Sequence, residues 1–121
     1  MSAAAWLDVC ALDDIAPDTG ECALVAGAQI ALLRVGGGEH VYAVDNFDPF
    51  SKAYVLSRGI VGDRDGVPKV ASPMYKQSFS LVSGQCLDDA AVRITVYPAR
   101  VRAGRVEVAV GDGHGGLAQT R

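Results

Sequence analysis

The sequence predicts an all-β domain, and three observations carry that prediction. Short apolar runs with period-two alternation recur along the 121 residues, the pattern of strands that turn one face to a core. Gly, Asp and Pro separate those runs at turn-like intervals. No window repeats apolar residues in the way an amphipathic helix of ordinary length requires. A chain of this length suits one domain, drawn as residues 1–110 with a mobile tail over 111–121, where "GDGHGGLAQTR" has little to bury.

Taken in order, "WLDVCAL" (6–12) alternates well enough for a first strand, and "DDIAPDTG" is a turn with one short helical turn capped by Asp13. "ECALVAG" and "QIALLRV" are two further strands, and "GGG" at 36–38 turns the chain into "HVYAVDN". The glycine triplet links strand to strand, whereas a phosphate-binding loop leads from strand to helix, so a hairpin is the better reading. A long irregular stretch runs from Asn46 to about Asp63. "GVPKVAS" then reads as a strand that Pro68 places at an edge or a bulge. "SFSLVSGQC" is a strand entering a turn at Ser83–Gly84. "VRITVYPARV" and "GRVEVAV" are strands joined by an "RAGR" hairpin, with Val106, Val108 and Val110 on one face. Seven to nine short strands closing into a sandwich or small barrel, with loops at 46–63 and 71–78, are expected.

Half the residues are hydrophobic and 21% are charged, a globular composition, and the net charge of −3 gives no broad footprint for nucleic acid. "MSAAAWLDVC" lacks the charged and apolar regions of a secretory signal, and no apolar run is long enough to cross a membrane, so a cytoplasmic protein is expected. Cys10, Cys22 and Cys86 have no C-x-x-C spacing and read as reduced, partly buried small hydrophobes. His40 and His114 sit beside glycines and read as exposed.

The two loops carry a more specific pattern. "VDNFDPFSKAYVLSRGIVGDRDGVPKVASPMYKQSFSLVSGQCLDD" contains V-x-S-P-x-Y-x-x-x-F-x-L-x-x-G, and the stretch resembles the Rieske iron-sulfur domain. In that family the first loop carries Cys-x-His and the second Cys-x-x-His. The resemblance places Asp48 and Phe50 at the first pair of positions and Ser72 and Tyr75 at the second, so all four ligand types are replaced. A Rieske cluster needs two thiolates and two imidazoles. Phe50 has no donor atom, and Asp48 with Tyr75 would offer only two hard oxygens on loops. No metal or cofactor is therefore expected in this chain.

"NFDPFS", "LSRGIVGD", "VPKVASPMYKQSF" and "VYPARV" together resemble the small-subunit family of assimilatory NAD(P)H-dependent nitrite reductases, cluster-free relatives of Rieske proteins. That resemblance implies a Rieske-like antiparallel fold with two tip loops. It also implies a large-subunit partner carrying FAD, a [4Fe-4S] cluster and sirohaem, and a supporting part in reducing nitrite to ammonium in nitrate assimilation.

The residues suggest how such a partner is met. Phe47, Phe50, Tyr54, Met74 and Tyr75 crowd the two loops, and Arg58 and Lys76 flank them, which makes these seven the candidate partner interface. Two readings stand for the apolar set: they contact the partner, or they fill the space a cluster would take, and filling is favoured for Phe50 and Tyr75. The basic residues Lys52, Arg58, Arg64, Lys69 and Lys76, interleaved with Asp45, Asp48, Asp63 and Asp65, form either a solvated surface or a steering field. No catalytic set is readable, because the histidines lie outside both loops and the pairs Asp13–Asp14 and Asp88–Asp89 sit in turns. The alternatives that stay open are a stand-alone Rieske-type ferredoxin, which the missing ligands oppose, and a free-standing regulatory binding module.

Overall fold

A computed structural model describes residues 5–110 as three antiparallel sheets and one minimal hairpin. Twelve strands lie among the described residues, more than the sequence suggests, because several are only two or three residues long. The first sheet has the order β1 (Ala5–Ala11), β12 (Arg105–Val110), β11 (Ala99–Arg102). The second has the order β10 (Val96–Tyr97), β4 (Val41–Asp45), β3 (Ala28–Arg34), β2 (Thr19–Val25). The third has the order β7 (Ile60–Arg64), β8 (Val67–Ala71), β9 (Ser78–Ser80), and β5 (Phe47–Asp48) pairs with β6 (Ala53–Tyr54) in the hairpin.

β3 decides the layering. Alternate side chains of a strand point to opposite faces, and Ile30 and Leu32 enter one core while Ala31 and Leu33 enter another. All four are fully or almost fully buried, which is why "IALL" reads as an unbroken apolar run. The first core joins them to Val106, Val108 and Val110 of β12, the shared valine face that the sequence predicts. The second joins them to Val70 of β8, to Phe79 of β9 and to Leu56, and so backs the tip. Burying each large apolar side chain contributes about 1.5–3 kcal/mol.

Several expectations are corrected. The stretch after Asn46 is not irregular: it holds the β5–β6 hairpin, a 3-10 turn at Leu56–Arg58 and β7. β7 joins β8 through Asp65–Gly66, whose φ angles of 53° and 86° make a tight hairpin turn. Pro68 does not mark an edge or bulge, because β8 is the central strand of its sheet. Its carbonyl accepts from the Leu81 N–H at 2.9 Å, just past the end of β9. The missing Pro N–H therefore points where that strand has stopped, and no bond to β7 is lost. Asp14, not Asp13, caps the first 3-10 turn by accepting from the Ala11 N–H at 3.1 Å. Pro98 splits "VRITVYPARV" into β10 and β11, which belong to different sheets, and the "SFSLVSGQC" strand covers only Ser78–Ser80.

The glycine triplet sits in the β3–β4 connection, where the Val35 N–H donates to the His40 carbonyl at 2.9 Å. Arg34 holds it from below, donating to the Gly37, Gly38 and Ile15 carbonyls. His40 is exposed as expected, and His114 and the tail lie outside the described residues. Cys86 is buried and Cys10 half-buried, but Cys22 is exposed, against expectation, and all three thiols are free. Among the described residues no helix is long and apolar enough to cross a membrane.

Candidate functional site

Two five-residue turns build the tip, and they are local copies of each other. Asp48-Pro49-Phe50-Ser51-Lys52 closes when the Lys52 N–H donates to the Asp48 carbonyl at 2.8 Å. Ser72-Pro73-Met74-Tyr75-Lys76 closes when the Lys76 N–H donates to the Ser72 carbonyl at 3.0 Å. Both lysines adopt left-handed backbone, with φ of 61° and 68°. In each turn the first side chain also accepts from the N–H two residues on: Asp48 Oδ1 from Phe50 at 2.9 Å, Ser72 Oγ from Met74 at 3.2 Å. Asp and Ser are the residues that form such side-chain turns, and proline in second place presets φ.

The turns meet at their first residues. Ser72 Oγ donates to Asp48 Oδ2 at 2.5 Å, and both residues are fully buried. The same carboxylate oxygen accepts from Ser51 Oγ at 2.8 Å. Burial pushes the Asp48 carboxyl up, but the Ser72 and Ser51 hydroxyls and the Phe50 and Ser51 N–H groups outweigh it, and the pKa lies below the ordinary value. This is an ionised carboxylate held by neutral donors.

Asn46 anchors the first loop to the middle sheet, and sequence reasoning passed over it. Its side chain, 2% exposed, accepts from the Ser57 N–H at 2.7 Å. Its Nδ2 donates to Gln29 Oε1 at 3.3 Å and to Cys22 Sγ at 3.4 Å. Its backbone donates to the Gln29 carbonyl and accepts from Leu56. The signal available was an asparagine just after a strand, where its side chain can replace backbone partners.

The candidate interface residues divide into inward and outward sets. Phe50 turns in, half-buried against the second core, with its ring 6.0 Å from that of Phe79. Tyr75 does not fill the tip, because it is 60% exposed. The Asp48–Ser72 contact and the Phe50 ring already close the gap between the loops, and the second turn leaves Met74 and Tyr75 outside. Met74 is 54% and Tyr54 55% exposed. Phe47 packs edge-on against Tyr54 at 5.0 Å, and both line a cleft with Leu24, Tyr97 and Thr95.

The mixed charge cluster also divides. Arg64 pairs with Asp88 at 3.2 Å, and Lys69 donates to Ser78 Oγ at 3.1 Å. Lys52, Arg58 and Lys76 are exposed and make no side-chain hydrogen bond or ion pair with the described residues. Asp88 is more than a turn residue: it accepts from the Ser78 N–H at 2.8 Å where the second loop enters β9. That bond, helped by Arg64 beside it, outweighs the opposing effect of burial and lowers its pKa.

The four positions aligned with Rieske ligands do not fit a [2Fe-2S] cluster. Two are joined to each other, one is a half-buried phenyl ring packed against the core, and one is an exposed phenol. No group of three His, Cys, Asp or Glu side chains among the described residues could hold a metal ion.

Comparison with known proteins gives this geometry its context. The family model of the Rieske-like [2Fe-2S] domain matches residues 5–109. The nitrite reductase (NADH) small subunit of Escherichia coli K12 is 43% identical over 103 residues, 85% of this chain and 95% of that one. A nitrite reductase [NAD(P)H] large subunit from Klebsiella oxytoca is also 43% identical over 103 residues, again 85% of this chain but 11% of its own length. A solved structure assigned as an NADH-dependent nitrite reductase small subunit of Mycobacterium tuberculosis superposes with a TM-score of 0.84 at 48% identity. The match covers 92% of this chain and 99% of that one.

Proposed function

The chain belongs to the nitrite reductase (NADH) small-subunit family within the Rieske-like domains, and from that membership we infer that it is a cofactor-free, non-catalytic subunit docking on a nitrite reductase large subunit. It supports the reduction of nitrite to ammonium in the cytoplasm without carrying electrons itself. FAD, a [4Fe-4S] cluster and sirohaem in the large subunit would supply the electron transfer and the reduction of nitrite.

One observation carries the reading. The loops that would hold an iron-sulfur cluster in a Rieske protein close on each other through Asp48 and Ser72, while Met74, Tyr75, Tyr54 and Lys76 stand exposed outside them. Exposed aromatic and Met side chains at a loop tip suit protein contact. Lys52, Arg58 and Lys76, without acidic partners among the described residues, suit an acidic rim on the partner. Further support comes from the Klebsiella large subunit, in which the homologous stretch shares a polypeptide with the rest of the protein.

The test is affinity purification of the tagged full chain from nitrite-assimilating cells. Retention of a sirohaem-containing large subunit is expected, and a chain that elutes alone refutes the docking reading. A [2Fe-2S] signal in the visible and EPR spectra of the purified chain after anaerobic reconstitution refutes its cofactor-free part.

A further inference from the structure

The contact between Asp48 and Ser72 joins residues 24 apart in the chain, each the first residue of its turn and each fully buried. We propose that this hydrogen bond is the clamp that fixes the two tip loops against each other, in the place where a Rieske protein has its cluster, and that Asp48 and Ser72 are thereby positioning residues for docking. The proposal rests on the docking reading above and adds the device that sets the docking geometry.

The argument starts from what holds each loop. Within a loop the closures are local: Lys52 to Asp48, Phe50 to Asp48, Lys76 to Ser72, Met74 to Ser72, and the Ser72 N–H to the Gln77 carbonyl at 2.9 Å. These shape each turn but do not tie one to the other. Asp48 and Ser72 alone exchange a side-chain hydrogen bond across the gap among the described residues. A charge-assisted bond between two buried side chains is strong, and its geometry is narrow. A cluster bound through both loops would tie them at the same place. Here the link is a proton donor and a carboxylate, and it leaves the outer face to Met74, Tyr75 and Lys76. Those residues belong to the turn that Ser72 begins, so a change in the Ser72 position carries them with it.

The turns also suggest a decisive variant. Asp and Ser can each start a side-chain turn by accepting from the N–H two residues on, so either residue can occupy either position and still face the other. The full-length chain is compared as wild type, S72A, D48S and the exchanged pair D48S/S72D, each checked for cooperative thermal unfolding. Two readouts are taken: native-state hydrogen exchange at the backbone-bonded amides of position 72 and Lys76, and affinity for the purified large subunit. With S72A or D48S, exchange at those amides rises about tenfold or more and affinity falls to a similar degree, the scale of a lost hydrogen bond to a charged group. The exchanged pair returns both to within about threefold of wild type, a rescue that the general worth of a buried serine or aspartate does not predict.

Unchanged exchange in the single variants overturns the clamp, and so does an exchanged pair no better than the singles. Raised exchange with unchanged affinity overturns the positioning role. A wild-type chain that does not bind the large subunit at all refutes the docking reading instead, and the exchange measurement still decides the clamp.

Discussion

Replacing Phe50 with alanine separates a core ring from a contact ring. Phe50 is half-buried, packs on the second core and lies 6.0 Å from Phe79, which is fully buried. Removing a fully buried phenylalanine costs about 3–5 kcal/mol through lost transfer energy and the cavity left behind. A ring with one face open loses roughly half of that, about 1.5–2.5 kcal/mol, since water or neighbouring side chains reach the vacated space. For a domain of this size that corresponds to a fall in Tm of very roughly 5–10 °C. Urea and thermal denaturation followed by circular dichroism read the change, with an unchanged m value showing that the folded state keeps its compactness. Y75A is the companion variant, because Tyr75 is 60% exposed and should shift stability by less than about 0.5 kcal/mol. It should instead weaken large-subunit binding. If F50A leaves Tm unchanged, or if Y75A lowers it as much as F50A does, the division into inward and outward rings is wrong.

Three further outcomes are expected. N46A should lower stability by about 1–3 kcal/mol, because the buried Ser57 N–H loses its acceptor; a change within error in chemical denaturation would show that water replaces it. Acid should destabilise the fold through Asp48: its folded pKa lies below the unfolded value, so its contribution is full above the unfolded pKa and is lost as pH falls through the folded one. Urea midpoints should accordingly be level near neutrality and drop below about pH 4 in the wild type, and the drop should be smaller in D48N. R58E/K76E should weaken large-subunit binding at low salt and less so at high salt, as long-range steering requires; equal affinity to wild type at low ionic strength refutes the steering role.

The fold was legible where the side-chain pattern has one cause. Val106, Val108 and Val110 alternate because one face of β12 meets a core, and the tight turn in "RAGR" is readable from its glycine. Legibility failed where two causes overlap. Pro68 argues for an edge by its missing N–H, yet the strand beside it ends one residue too early to need that donor. β5 and β6 are two residues each and leave no periodicity to detect. In the site, resemblance located Asp48, Phe50, Ser72 and Tyr75, but whether Tyr75 points in or out depends on space already taken by Phe50 and by a contact between residues 24 positions apart. The D-P-x-x-K and S-P-x-x-K echo was present in the sequence and would have shown that both loops close in the same way.

The middle sheet has a consequence of its own. Both cores are built on the same few residues of β3 and β4, with Ile30, Leu32 and Ala43 facing one and Ala31, Leu33 and Val44 the other. Each core forms a wall of its neighbour, so melting one strips the other of the strands it packs on. Loss of the core that supports the tip is thus expected to carry the other core with it, and tryptophan fluorescence and far-UV circular dichroism should report one coincident unfolding transition.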